Sequence, residues 1–113
     1  MTPPDPAGAQ PRLKPCYVIA EMKVTDMPGF TTHFAPLFRS IALQRLQALG
    51  GEFVVQNTHP LDLAGQSLAP VVNIVRFPST ATAIAAYASA EMQEFDRLAG
   101  QYVQIHRTIL ETQ

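Results

Sequence analysis

At 113 residues, 47% of them hydrophobic, the chain has apolar surface for one core, and its length argues against a second domain. A net charge of −1 with eight scattered Lys and Arg gives no electrostatic basis for a nucleic-acid or anionic-membrane partner. Cys16 is the sole cysteine, which rules out an intramolecular disulfide, and no apolar run approaches the roughly 20 residues of a membrane helix. The N-terminus lacks the basic-then-apolar layout of a signal peptide, so the expectation is a soluble cytoplasmic protein.

Residues 1–15 hold half of the ten prolines, at positions 3, 4, 6, 11 and 15, with Gly8 and almost no large apolar side chain. Such a stretch cannot bury enough surface to offset its ordering entropy, which predicts a mobile tail at 1–15 and one folded domain at 16–113. Residues 16–24 read as strand one. One parity (Val18, Ala20, Met22, Val24) is wholly apolar, and the other (Tyr17, Ile19, Glu21, Lys23) is mixed. Cys16, at its start, reads as a small buried hydrophobe. Thr25-Asp26 then caps a helix that tolerates Pro28 in its first turn. Its apolar stripe runs through Phe30, Phe34, Leu37, Phe38, Ile41, Leu46 and Leu49 to a stop at Gly50-Gly51. Pro36 removes one backbone hydrogen bond and predicts a break or kink just before it, dividing the helix into two pieces.

Residues 52–56 form the second predicted strand, 57–60 the turn that ends it, and 61–70 a hairpin-like connection. Residues 71–77 are the most strand-like run and belong in the sheet interior. Ser79 or Thr80 caps a second helix over 81–90; a further piece over 91–98 carries Met92, Phe95 and Leu98 and ends at Gly100. Residues 102–110 alternate as strand four. The order β-α-β-β-α-β repeats a strand–turn–helix unit at an offset of 54 residues, Tyr17 to Val71. That predicts an α+β, ferredoxin-like split-βαβ domain: a four-stranded antiparallel sheet, order 4-1-3-2, with both helices on one face. The other face would expose Ile19, Val54, Val72 and Ile74, a patch that a homodimer packed face to face into an α/β barrel would cover.

The parity facing that dimer lumen carries Glu21, Glu52, Gln56, Arg76, Gln104 and His106. Strand three lies between strands one and two, which predicts a Glu21–Arg76–Glu52 row. The row has two readings. Arg76 can neutralise two acids on a half-buried face, fixing register and interface. Alternatively it orients an anionic substrate group while Glu21 or Glu52 moves a proton. His106, on the same face, is the first choice as general base, with a hydrogen-bonded interface histidine as the other reading. His59 sits in a turn at the sheet end, where loops often carry function or simply meet water, and His33 is expected to be exposed on helix one. No histidine pair shows ligand spacing, so no metal site is expected. The serines lack a nucleophile-elbow context, and no glycine loop is built to cradle phosphate. Tyr17 and Tyr102, near strand ends, can donate to a bound carbonyl or phenolate; Tyr87 reads as core.

With these residues placed, the chain resembles the family catalogued as domain of unknown function 1330, within the dimeric α/β-barrel superfamily. The resemblance spans Tyr17 to about Leu110 and is carried by Tyr17-Val18-Ile19-Ala20 leading to Val24-Thr25-Asp26, by Gly50-Gly51-Glu52-Phe53-Val54-Val55, by Arg76-Phe77-Pro78-Ser79, and by Tyr87 with Ser89-Ala90-Glu91. It implies a homodimer, no bound metal or haem and no established activity. The superfamily includes cofactor-free monooxygenases, lactone isomerases, dehydratases and cyclases. The expectation is therefore a small cofactor-independent enzyme of isomerase, cyclase, lyase or monooxygenase type. Its substrate would be a small organic metabolite, held between sheet and helices or in the dimer lumen. Arg76 would anchor it, His106 or Glu21 would shuttle the proton, and Glu52, Tyr17, Gln56 and His59 would contact it. A non-catalytic small-molecule-binding or structural homodimer is the alternative, and fold alone does not choose between them.

Overall fold

The structure, a computed structural model, describes residues 14–57, 59–66 and 71–112, with the side chain of residue 57 outside that description. Most of the expected Pro-rich tail and the last four residues of the expected hairpin-like connection lie outside the described residues.

Strand β1 (Cys16–Val24) alternates as its sequence does. Cys16, Val18, Ala20 and Met22 are buried against helices, while Tyr17, Ile19, Glu21 and Lys23 point to the other face. With β2 (Glu52–Asn57), β3 (Val71–Phe77) and β4 (Val103–Glu111) it forms an antiparallel sheet of order β2-β3-β1-β4, the expected 4-1-3-2 arrangement. Helix α1 (residues 27–48), α2 (Thr80–Tyr87) and α3 (Ala90–Ala99) cover one face. The core lies between these layers, where Val18, Val75, Phe77, Met92 and Phe95 lose essentially all contact with water. Among the described residues, no helix is long and apolar enough to cross a membrane.

Helix α1 starts where Asp26 Oδ1 accepts the Gly29 N–H at 3.1 Å, with Pro28 in the first turn. Of the expected break or kink at Pro36, the break does not occur. The helical run is continuous, and Pro36 sits in a short α turn (Ala35–Leu37) between two π-helical segments, Phe30–Phe34 and Phe38–Leu43. A π turn shifts hydrogen bonding away from the i−4 carbonyl, the group with which a proline ring would collide, so the wide turn carries Pro36 without ending the helix. At the far end Gly50 takes a φ of +99°, the left-handed conformation favoured by glycine just past a helix.

Beyond Tyr87 the expected second helix stops and restarts at Ala90, where Ser89 Oγ accepts the Met92 N–H. Ser79 caps α2 by accepting the Thr82 N–H at 3.1 Å. A second departure concerns β2. Glu52 pairs with Arg76 and Phe53 with Val75, but the next pair is Val55 with Ile74, leaving Val54 as an extra residue. This β-bulge reverses the side-chain parity of everything after it. Gln56, expected beside Glu52 on the open face, therefore stands next to Asn73 on the helix-covered face.

Candidate functional site

On the open face the expected three-residue row resolves into two separate pairs. Arg76 lies opposite Tyr17 on β1 and Glu52 on β2, with 3.9 Å between Arg76 Nη1 and Glu52 Oε1. Glu21 lies four residues further along β1, about 13 Å away at the usual strand rise. There it faces Val72 and His106, with His106 Nδ1 3.9 Å from Glu21 Oε1. Strand order placed the three strands side by side, but the antiparallel register keeps Glu21 and Arg76 apart. Both pairs are substantially exposed in the single chain, where ion pairs contribute little. Tyr17 is half-buried between Arg76 and Leu110, and His59 is exposed in the bend after β2.

The enclosed chemistry lies on the other side of the sheet. Asn73, in the interior strand β3, is a buried polar residue, only 8% exposed, with Ala20 and Gln56 as its cross-strand neighbours. Among the described residues nothing hydrogen-bonds its side chain, whose polar atoms are not among those sealed from water. It closes the inner end of a cleft of about 380 Å³ that α1 overhangs, lined by Met22, Phe30, Phe34, Phe38, Arg39 and Gln56 among others. Three of these are phenylalanines at fourfold spacing along α1, with ring centroids 5.0 Å (Phe30–Phe34) and 6.0 Å (Phe34–Phe38) apart, so they make a stacked aromatic wall. Phe38 is held in place edge-on by Phe53 and Phe95.

Behind Asn73 a void of about 20 Å³, room for one water, extends toward Tyr87 and Arg107. Arg107 reaches it from β4 on the helix-covered face. Its guanidinium makes two 2.8 Å hydrogen bonds to Asp96 and lies 4.7 Å from the centre of the Tyr87 ring. Its Nε–H is buried and has no hydrogen-bond partner among the described residues. Burial pushes the Tyr87 hydroxyl up to about 12, Arg107 pulling partly the other way and Asp96 adding to the rise. Tyr87 is thus a proton-bearing donor at neutral pH. Gln56 and Asn73 in the cleft, with Tyr87 and Arg107 behind them, offer donors to an oxygen atom. No carboxylate or imidazole lines either space among the described residues. Of the residues singled out from sequence, only Gln56 reaches the cleft. Asn73 had a signal, an amide in the otherwise apolar parity Val71, Val75 and Phe77 of an interior strand, and Arg107 had one in its parity on β4.

The same architecture occurs in solved structures. RPA0582 from Rhodopseudomonas palustris superposes with a TM-score of 0.67 at 19% identity, covering 93% of this chain and 87% of that one. SnoaB from Streptomyces nogalater, described as a cofactor-independent oxygenase, gives 0.63 at 13% identity over 88% and 94%. Rv0793 from Mycobacterium tuberculosis gives 0.60 at 16% identity over 88% and 95%. At such identities the likeness establishes the fold alone. No curated protein matches the sequence. Residues 15–113, nearly the whole described chain, do match one family, and the protein belongs to it: the domain of unknown function family DUF1330.

Proposed function

We propose that this protein is a cofactor-independent enzyme that transforms a small organic metabolite held in the cleft between α1 and the sheet, and that it works as a homodimer joined through the open sheet face. One observation carries the reading: Asn73, largely buried beside Gln56 in an aromatic cleft, keeps its amide open to that cleft with no side-chain hydrogen bond among the described residues. A guest's carbonyl, enol or phenol oxygen would take that amide's hydrogen bond in place of water. The fold shared with SnoaB, an oxygenase described as needing no cofactor, supports this class of chemistry.

With donors but neither carboxylate nor imidazole among its described lining residues, the cleft suits a substrate whose own acidity delivers the enolate or phenolate. Gln56 and Asn73 then stabilise the oxyanion, the step at which preorganised donors contribute most. Isomerisation, cyclisation, elimination and attack on dioxygen all proceed from such an anion. Arg76, Glu52, Glu21, His106 and Tyr17 lie across the sheet from this cleft; we assign them to the subunit interface, where their pairs set register.

The test is turnover of a panel of small enolisable ketones and phenols by the wild type and by Asn73→Leu, Gln56→Leu and His106→Ala. Asn73→Leu keeps the volume and removes the donor, and is expected to lower kcat/KM about a hundredfold or more, the scale of one oxyanion donor. His106→Ala should retain activity. Turnover lost in His106→Ala but kept in Asn73→Leu would move the site to the open face. Tight binding with no turnover anywhere in the panel would leave a binding module instead.

A further inference from the structure

We infer that the cleft selects anions: its guest is a small flat aromatic or conjugated acid whose carboxylate is held by Arg39 at the rim while the opposite end lies against Asn73 and Gln56. This rests on the cleft being the site. Five arginines fall among the described residues, and four of them have a carboxylate. Arg45 meets Glu91, Arg76 meets Glu52, Arg97 meets Glu94 and Arg107 meets Asp96. Arg39 has no such partner among the described residues. Among the described residues it is also the one charged side chain lining the cleft.

Its position follows from the helix. Arg39 succeeds Phe38, the last phenylalanine of the stacked wall, and it is exposed where Phe34 is buried. The cleft therefore joins an exposed cation and an aromatic wall to the largely buried Asn73, with the exposed Gln56 beside it. A cation with no competing acid in an apolar opening raises the local concentration of anions and orients them. A guanidinium adds a planar fork that fits a carboxylate with two parallel hydrogen bonds. Rings stacked on one another at 5.0 and 6.0 Å turn their edges to the cleft, and the face of a flat guest ring can meet those edges in edge-to-face contact. A volume of about 380 Å³ accommodates one or two fused rings. Arg107, the other cation nearby, is already neutralised by Asp96 behind the amides, so it does not compete for the carboxylate.

Three probes of one shape separate charge from shape: 2-naphthoate, 2-naphthol and 2-naphthylmethylamine. Their affinities would be measured by calorimetry at neutral pH, with the Asn73 and Gln56 side-chain amide resonances reporting the place of binding. The expected result is naphthoate binding about tenfold or more tighter than naphthol, the amine weakest, and the preference shrinking as salt is raised. Arg39→Gln should bring naphthoate down to the level of naphthol, and Arg39→Lys should keep part of the difference. If naphthol equals naphthoate in the wild type, or the preference survives Arg39→Gln, Arg39 is not the selector, while the cleft stands as the site. If no probe moves the two amides, the cleft reading falls and this inference falls with it.

Discussion

Tyr87 sits edge-on to Phe77 at 5.8 Å, with the Arg107 guanidinium over its face. Its hydroxyl has a consequence for stability at high pH. The ordinary value of 10.0 applies to the unfolded chain, and burial holds the folded value at about 12. Below pH 10 the hydroxyl is protonated in both states and the full stability is present. Between 10 and 12 the unfolded chain releases the proton and the folded one keeps it, so stability falls as pH rises, by about 2–3 kcal/mol across the window. Urea midpoints of wild type and Tyr87→Phe, followed from neutral to strongly alkaline pH, should run parallel below 10. Above it the wild type should lose stability faster; a difference that stays constant through the window would mean that the folded hydroxyl titrates as it does in water. The same raised value keeps Tyr87 a donor, never a base, through the range in which an enzyme would operate.

At the scale of elements, one extra residue in β2 decides which side chains form the site. Val54 is the bulge, so Glu52 and Gln56 end on opposite faces although four residues separate them. Deleting Val54 should give a regular ladder with Val55 still opposite Ile74 and Gln56 still opposite Asn73, because the deleted residue is the unpaired one. Cross-strand proton contacts measured by NMR would check it; a deletion that sends Gln56 to the open face would show the bulge to be misplaced. The bulge could not be read in Glu52-Phe53-Val54-Val55-Gln56, which contains neither the glycine nor the proline that often marks one, so strict alternation put Gln56 with Glu52. Strand order was legible because crossover handedness and loop lengths restrict it. Register was not: Tyr17, rather than Glu21, stands opposite Arg76, and only the sum of pairings along β1 and β3 decides that. Pro36 was legible as a lost hydrogen bond. Its outcome was set by the two π segments around it, which composition does not announce. The Cys16 burial and the Asp26 and Ser79 caps are local and were legible as such.

At the scale of the whole molecule, the open face remains to be covered. Four strands about 4.8 Å apart and about seven residues long present roughly 440 Å² in projection. Half-exposed Ile19, Val72 and Ile74 lie in the middle, with Val55 and Leu110 toward the edges. Its apolar middle, bordered by Glu21, Glu52, Arg76 and His106, is a surface that a two-fold copy of the chain would cover. Sedimentation equilibrium should give twice the chain mass for the wild type. Ile74→Glu puts a carboxylate at the centre of the face and should give the monomer, with circular dichroism unchanged because Ile74 points away from the helix-covered core. The cleft is built from residues of one chain, so Ile74→Glu should bind 2-naphthoate within a few-fold of wild type. A monomer that has lost the probe would show that the second copy completes the cleft. A wild type that sediments as a monomer would return Arg76, Glu21 and His106 to solvent and remove the interface role assigned to them.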